Sequence, residues 1–236
     1  MSLSSAQRRL LTLGLIPVIV LVLAGGAITV STIRGKLDFD YTAEFRQPVN
    51  AVTIVSEVPV SVIPSTDDKV HVDISGSYTS RKPQTAVRQS EARELEIGVS
   101  CAGADCDIAL SVALPSSTTL SVNTTRTSLD LVGLSGEVSL SAYNGSVNGV
   151  RLKSAKVTAE VHSGSLDLGF VYAPTTVDAS TTSGSLHLLV PATETYAIDA
   201  VASGGSATLD VHSDPAAHNA LNLRSTGGSI TVDSAG

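Results

Sequence analysis

The chain has 236 residues with 22 acidic and 15 basic side chains. Four of the bases (Arg8, Arg9, Arg34, Lys36) precede Leu37, which leaves 11 against all 22 acids from that point on, a net of −11. Such a balance, with no basic stripe and only three Phe, five Tyr and no Trp, excludes a nucleic-acid-binding role and suits a soluble domain outside the cytoplasm.

The first feature along the chain is an apolar run. Leu10 to Ile33 holds 24 residues without a charge, flanked by Arg8 and Arg9 before and Arg34 and Lys36 after. As a helix it would be about 36 Å long, enough to cross a hydrocarbon core of about 30 Å with some tilt. Pro17 would kink it, which membrane helices tolerate. The competing reading is a cleaved signal peptide, with its apolar region at Leu10 to Leu23 and the small residues Gly25, Gly26 and Ala27 at the cleavage site. Continuation of the apolar run to Ile33 favours an uncleaved anchor, and either reading exports the chain beyond Gly35. The expected organisation is a cytoplasmic tail (1–9), one transmembrane helix (10–33), a linker (34–48) and an extracytoplasmic domain (49–236).

Val49 to Ile63 and Val70 to Ile74 alternate apolar and polar residues, punctuated by Pro59, Pro64 and Ser65-Thr66-Asp67-Asp68, and read as irregular leading strands. Gly76 to Glu94 is polar, contains Pro83 and four bases, and reads as an exposed loop or short helix. Glu94 to Ser100 and Asp107 to Leu114 flank the sequence CAGADC and read as a hairpin. Cys101 and Cys106, the only cysteines, are expected to form a structural disulfide. A redox pair would have two residues between them and here there are four, while a zinc site would need further ligands nearby.

From Leu120 to Val232 one twelve-residue pattern occurs six times, anchored on Thr127, Gly145, Gly164, Gly184, Gly205 and Gly228. Seven positions before the anchors stand Leu120, Val138, Val157, Val177, Ile198 and Leu221, and five before them Val122, Leu140, Ala159, Ala179, Ala200 and Leu223. Serine follows every anchor. Two after it come Leu129, Val147, Leu166, Leu186, Ala207 and Ile230; four after it Leu131, Gly149, Leu168, Leu188, Leu209 and Val232, with Gly149 the one exception to an apolar residue. Period-two alternation on both sides of a Gly-Ser corner is a strand, a tight turn and a strand. Repetition near twenty residues predicts an all-β, single-stranded β-helix of about six regular coils over 120–232, stacked in chain order about 4.8 Å apart. Gly145, Gly164, Gly184, Gly205 and Gly228 are its corner glycines, expected to supply positive φ. Thr127 marks an atypical end coil.

The strings SLDL, GSVNG, SGSLDL, SGSLHL and GGSITV, behind an apolar segment and a leading strand region, resemble the bacterial "putative-adhesin" family of β-strand-repeat proteins over about Val49 to Val232. The resemblance implies a membrane-anchored β-helix of the cell envelope with no established catalytic residues and an adhesion or envelope-stress role. It specifies fold well and activity poorly.

The outward ladders carry the polar candidates. Three after the anchors stand Asp130, Asn148, Asp167, His187, Thr208 and Thr231, which makes Asp167 and His187 neighbours. Six before them, Asp178 and Asp199 are expected on adjacent rungs, where two carboxylates could share a proton or bind a cation. No Arg or Lys converges on either pair, so a solvated polar face is the favoured reading. His162, His187 and His212 fall at unequal ladder positions and form no metal comb; His71 and His218 are isolated. Neither cofactor nor metal is expected. The scarcity of aromatics weakens a lectin reading. The sequence thus points to a non-enzymatic, adhesin-like envelope module, single-pass in the membrane, that binds an envelope or surface protein or glycan. The alternative is a polysaccharide-acting enzyme using Asp130, Asp167, Asp178 and Asp199.

Overall fold

The computed structural model describes residues 35–103 and 105–235. The chain divides into two units, Met1–Leu37 and Asp38–Gly236, and the fold described is that of the second. The expected tail and membrane segment lie outside the described residues.

Among the described residues every regular element is a strand. The leading region supplies β1 (Leu37–Phe45), β2 (Ala51–Ser56), β3 (Val60–Pro64), β4 (Val70–Tyr78), β5 (Gln84–Gln89), β6 (Glu94–Ser100) and β7 (Cys106–Leu114). The repeats supply β8 (Thr119–Arg126) with β9 (Leu129–Val132), β10 (Val138–Asn144) with β11 (Val147–Leu152), and β12 (Lys156–Ser163) with β13 (Leu166–Phe170). They continue as β14 (Thr176–Ser183) with β15 (Leu186–Pro191), β16 (Tyr196–Ala202) with β17 (Ala207–Asp210), and β18 (Asn219–Ser225) with β19 (Ile230–Ala235). The first strand of each pair lies in a nine-stranded sheet ordered β16-β18-β14-β12-β10-β8-β2-β6-β5, the second in a ten-stranded sheet ordered β1-β4-β7-β3-β9-β11-β13-β15-β19-β17.

The repeat register is as the alternation requires: Val157 pairs with Val177 and Leu166 with Leu186, all in parallel ladders and all fully buried. Burial of such side chains contributes about 1.5–3 kcal/mol each. What the structure corrects is the expected single β-helix wound in chain order. There are two mixed sheets, and chain-order stacking holds from β8 to β15 only. Beyond β15 the last pair, β18–β19, inserts beside β14–β15, and β16–β17 is displaced to the end, so Val177 pairs with Leu221 and Leu221 with Ile198. The leading pairs show the same exchange, since β2–β3 lies beside β8–β9 while β6–β7 lies outside it. Burial explains the order at the far end. Leu221, Leu223, Ile230 and Val232 are fully enclosed, whereas the smaller inward residues of the outer pair, Ala200, Ala202 and Ala207, stay partly or wholly exposed. Placing the larger apolar set inside removes more surface from water.

Three further expectations change. Residues 34–48, read as a linker, contain β1, an edge strand tied down where Lys69 donates to Glu44 at 2.7 Å. Within Gly76 to Glu94, read as a loop or helix, lies β5, paired antiparallel with β6 at the sheet edge. Its inward positions Thr85, Val87 and Gln89 are only half-buried and two are polar, which hid the alternation. CAGADC is no hairpin loop: β6 and β7 belong to different sheets, so it turns the corner between them.

The corners stack as a column in which a Cβ on one glycine would strike the preceding corner's carbonyl oxygen, at 1.9 Å for Gly145 on Thr127 and for Gly164 on Gly145. Positive φ occurs at Gly145, Gly164 and Gly184 (148°, 139° and 141°) and is absent at Gly205 and Gly228, where the corners are two residues longer. At those two positions close approach alone excludes a side chain. Gly149 has its own reason. β11 bulges there, Arg151 takes a φ of 54°, and Leu152 swings into the inward slot, so a Cβ on Gly149 would come 2.9 Å from Leu152 Cδ1.

Candidate functional site

Core-facing positions of both sheets are filled by packing residues, so chemistry is confined to the outer faces, the corners and the edges. On the ten-stranded sheet the expected ladder is present. Asn148 Nδ2 donates to Asp130 Oδ1 at 3.1 Å, and His187 Nδ1 lies 3.4 Å from Asp167 Oδ1. His187 Nε2 also bonds Asp233 Oδ2 at 2.9 Å. Asp233 is missed from sequence because β19 is not expected beside β15; its backbone pairs with Leu189, two residues from His187. The three side chains are each nearly half exposed, and they tie three strands together across an open surface.

On the nine-stranded sheet the expected neighbours Asp178 and Asp199 are parted by Asn222, which pairs with both. Asn222 Nδ2 donates to Asp178 Oδ1 at 2.7 Å, and the Arg224 guanidinium binds the Asp199 carboxylate and its carbonyl. Each carboxylate has its own donor, and the two cannot share one proton. Arg224 is the cation that chain-order stacking placed out of reach. Among the described residues no group of three or more His, Cys, Asp or Glu is arranged to hold a metal ion.

Between β2 and β12 this face carries a row of hydroxyls, Thr53, Ser121, Ser139 and Thr158; in the next row Asn123 and Ser141 stand between Val55 on β2 and Glu160 on β12. Toward the corners it rises into an aromatic pair. Tyr143 and His162 stack with ring centroids 4.7 Å apart and planes within 4°, both exposed. Each stands two residues before its anchor glycine on adjacent strands, a coincidence visible in the sequence that counting aromatics overlooked.

Across β8 and β2 from this pair the face is indented, where Gly98 leaves β6 without a side chain. One depression of about 290 Å³ lies among Thr53, Val55, Ala86, Arg88, Glu96 and Gly98. A second of about 330 Å³ shares Val55, Ala86 and Gly98 and reaches Glu57 and Thr125. The third, about 420 Å³, shares Glu57 and Thr125 and is bounded by Arg126 and by Cys101, Ala102 and Gly103 of the β6–β7 corner. Cys101 and Cys106 are disulfide-bonded, Cα atoms 6.2 Å apart, so the bond expected from sequence fixes one wall of this depression. Closing so short a loop contributes about 2 kcal/mol in the chain-entropy model.

No family model matches the chain, and no curated protein does. Among solved structures it is similar to a "putative cell adhesion protein" of Clostridium sporogenes, 13% identical over 85% of this chain and all of that one, with a TM-score of 0.47. It is similar also to a "putative adhesin" of Bacteroides fragilis, 13% identical over 84% of this chain and 97% of that one, TM-score 0.47. A third, a "putative adhesin" of Parabacteroides merdae, is 12% identical over 82% and 95%, TM-score 0.32.

Proposed function

We propose that the chain is a membrane-anchored, extracytoplasmic, adhesin-like module of the bacterial cell envelope, a β-helix with exchanged end rungs that works by binding. The observation that carries this reading is the outer face of the nine-stranded sheet, where the hydroxyls of Thr53, Ser121, Ser139 and Thr158 stand in register from β2 to β12, with Asn123 and Ser141 in the next row, and the exposed Tyr143–His162 pair stands toward the corners. An open face of aligned polar groups suits contact with an extended ligand, while the core residues beneath it keep the spacing fixed. The apolar run Leu10 to Ile33, with its basic flanks, supports the anchor, and the Cys101–Cys106 disulfide supports export to an oxidising compartment. The polysaccharide-enzyme alternative is weaker because Asp130, Asp167, Asp178 and Asp199 are each engaged by Asn148, His187, Asn222 and Arg224, on open surface.

Incubating the full chain in detergent with isolated bacterial envelopes and their extracted polysaccharides separates the two. Saturable binding with no change in polysaccharide length is expected. Shortening of a polysaccharide that is lost in Asp178→Asn/Asp199→Asn would establish the enzyme instead.

A further inference from the structure

Resting on that reading, we infer that the corner-side depression walled by the Cys101–Cys106 corner and by Thr125 and Arg126, together with the Tyr143 ring beside it, is a subsite for a neutral pyranose unit of a glycan chain.

The two rings supply a platform. Tyr143 and His162 occupy equivalent positions on neighbouring strands and stack face to face, so the stack runs along the direction in which strands succeed one another. The inner face of Tyr143 is covered by His162, and its other face is turned to β8, where Thr125 occupies the same position. Threonine is too short to cover a phenol ring, and Tyr143 is 56% exposed. A flat apolar surface held rigid by a second ring is what the C–H face of a pyranose packs against, and pre-stacking removes the entropy of ordering the side chain on binding.

The polar groups beside the platform alternate in kind. Glu57 and Arg126 line the same depression, and among the described residues neither has an ion-pair partner. A carboxylate accepts, a guanidinium donates through a planar fork, and the Thr125 hydroxyl does both. Vicinal sugar hydroxyls, each donor and acceptor at once, match that alternation. A bare phosphate would meet the Glu57 charge, and an apolar peptide would leave both ions unpaired.

Size and continuity favour a chain over a single small ligand. The depression of about 420 Å³ is near the lower end for small-molecule sites and is open, so it takes one ring rather than an enclosed ligand. It continues through Glu57 and Thr125 into the depression of about 330 Å³, and from there through Val55, Ala86 and Gly98 into that of about 290 Å³. Three shallow hollows in line, joined across the register row of Ala86, Gly98 and Val55, suit successive units of a linear chain. Single-site affinity in so open a groove is low, and many anchored copies would supply avidity. Scarcity of aromatics in the composition argued against sugar binding; the placement of two of them in one ladder reverses that argument.

The test uses the full chain in detergent and saturation-transfer NMR with three neutral probes, maltohexaose, cellohexaose and chitohexaose. Transfer to the ring protons of at least one hexaose is expected, weakened at least fivefold by Tyr143→Ala and by Arg126→Gln and unaltered by Tyr172→Ala, which removes an equally exposed tyrosine elsewhere. Silence with all three probes, or binding indifferent to both Tyr143→Ala and Arg126→Gln, would overturn the inference. Envelope binding that persists while the hexaoses stay silent overturns the sugar subsite and leaves the envelope-binding reading standing. Envelope binding lost on protease treatment of the envelopes and in Tyr143→Ala, with the hexaoses silent, assigns the site to a protein partner and overturns the sugar.

Discussion

Gly228 sits on Gly184, forty-four residues earlier in the chain: a Cβ added to Gly228 would come within 2.0 Å of the Gly184 carbonyl oxygen. Gly205, which comes between them in sequence, stacks instead on Gly228. The corner column therefore records the order of the rungs, and its glycines are required by a neighbour's backbone more than by their own dihedral angles.

Gly184→Ala is expected to cost roughly 3 kcal/mol or more, because the new methyl would meet the Gly164 carbonyl oxygen at 1.8 Å in a backbone of φ 141°. Gly169→Ala is the control. Its Cβ would reach no closer than 3.6 Å to any neighbour, and the change should stay within about 0.5 kcal/mol. Urea unfolding followed by circular dichroism gives both values.

The exchanged end rungs are open to chemical proof. In an Asp178→Cys/Asn222→Cys variant the new thiols face each other on paired strands and should couple under mild oxidation, whereas Asp178→Cys/Asp199→Cys should not. Non-reducing peptide mapping reads the outcome. Coupling of the second pair and not the first would restore chain-order stacking.

That exchange marks the boundary of what the sequence conveys. Period-two alternation reports which side chains face inward, so the inward set from Leu120 to Leu188, the corners at Gly145, Gly164 and Gly184 and the Cys101–Cys106 pair were legible. The order of rungs leaves no period, since Val177 can pack on Ile198 or on Leu221 equally well in register. It is settled by which rung has more to bury, and β18–β19 outcompetes the alanine-rich β16–β17. The same blindness separated Asp199 from Arg224 and His187 from Asp233 on paper, and β5 was hidden by its polar inward residues. The Tyr143–His162 stack was legible and was missed.

Tyr196 supplies a pH signature. Its side chain is fully buried, with Oη donating to the Pro191 carbonyl at 3.1 Å, and burial, helped by the Glu194 charge, pushes its pKa up to about 12. The unfolded chain loses this proton near pH 10, so the folded state holds it longer. The stabilisation is present in full below pH 10 and is lost as pH rises through about 12. Tyr196→Phe should cost about 1 kcal/mol at pH 9 through the lost hydrogen bond, and the gap to the wild type should close as pH approaches 12. Urea midpoints of the two proteins at successive pH values test this.

The proposed binding surface is the outer face of the nine-stranded sheet. Ser139 and Thr158 are exposed on that face and Asn148 on the other. Co-sedimentation of the full chain with isolated envelopes should be abolished, or weakened at least tenfold, by Ser139→Arg/Thr158→Arg. It should be unchanged by Asn148→Arg, all three proteins unfolding at the same urea midpoint. Envelope binding that survives the double substitution and disappears with Asn148→Arg would contradict the assignment and move the contact to the ten-stranded sheet.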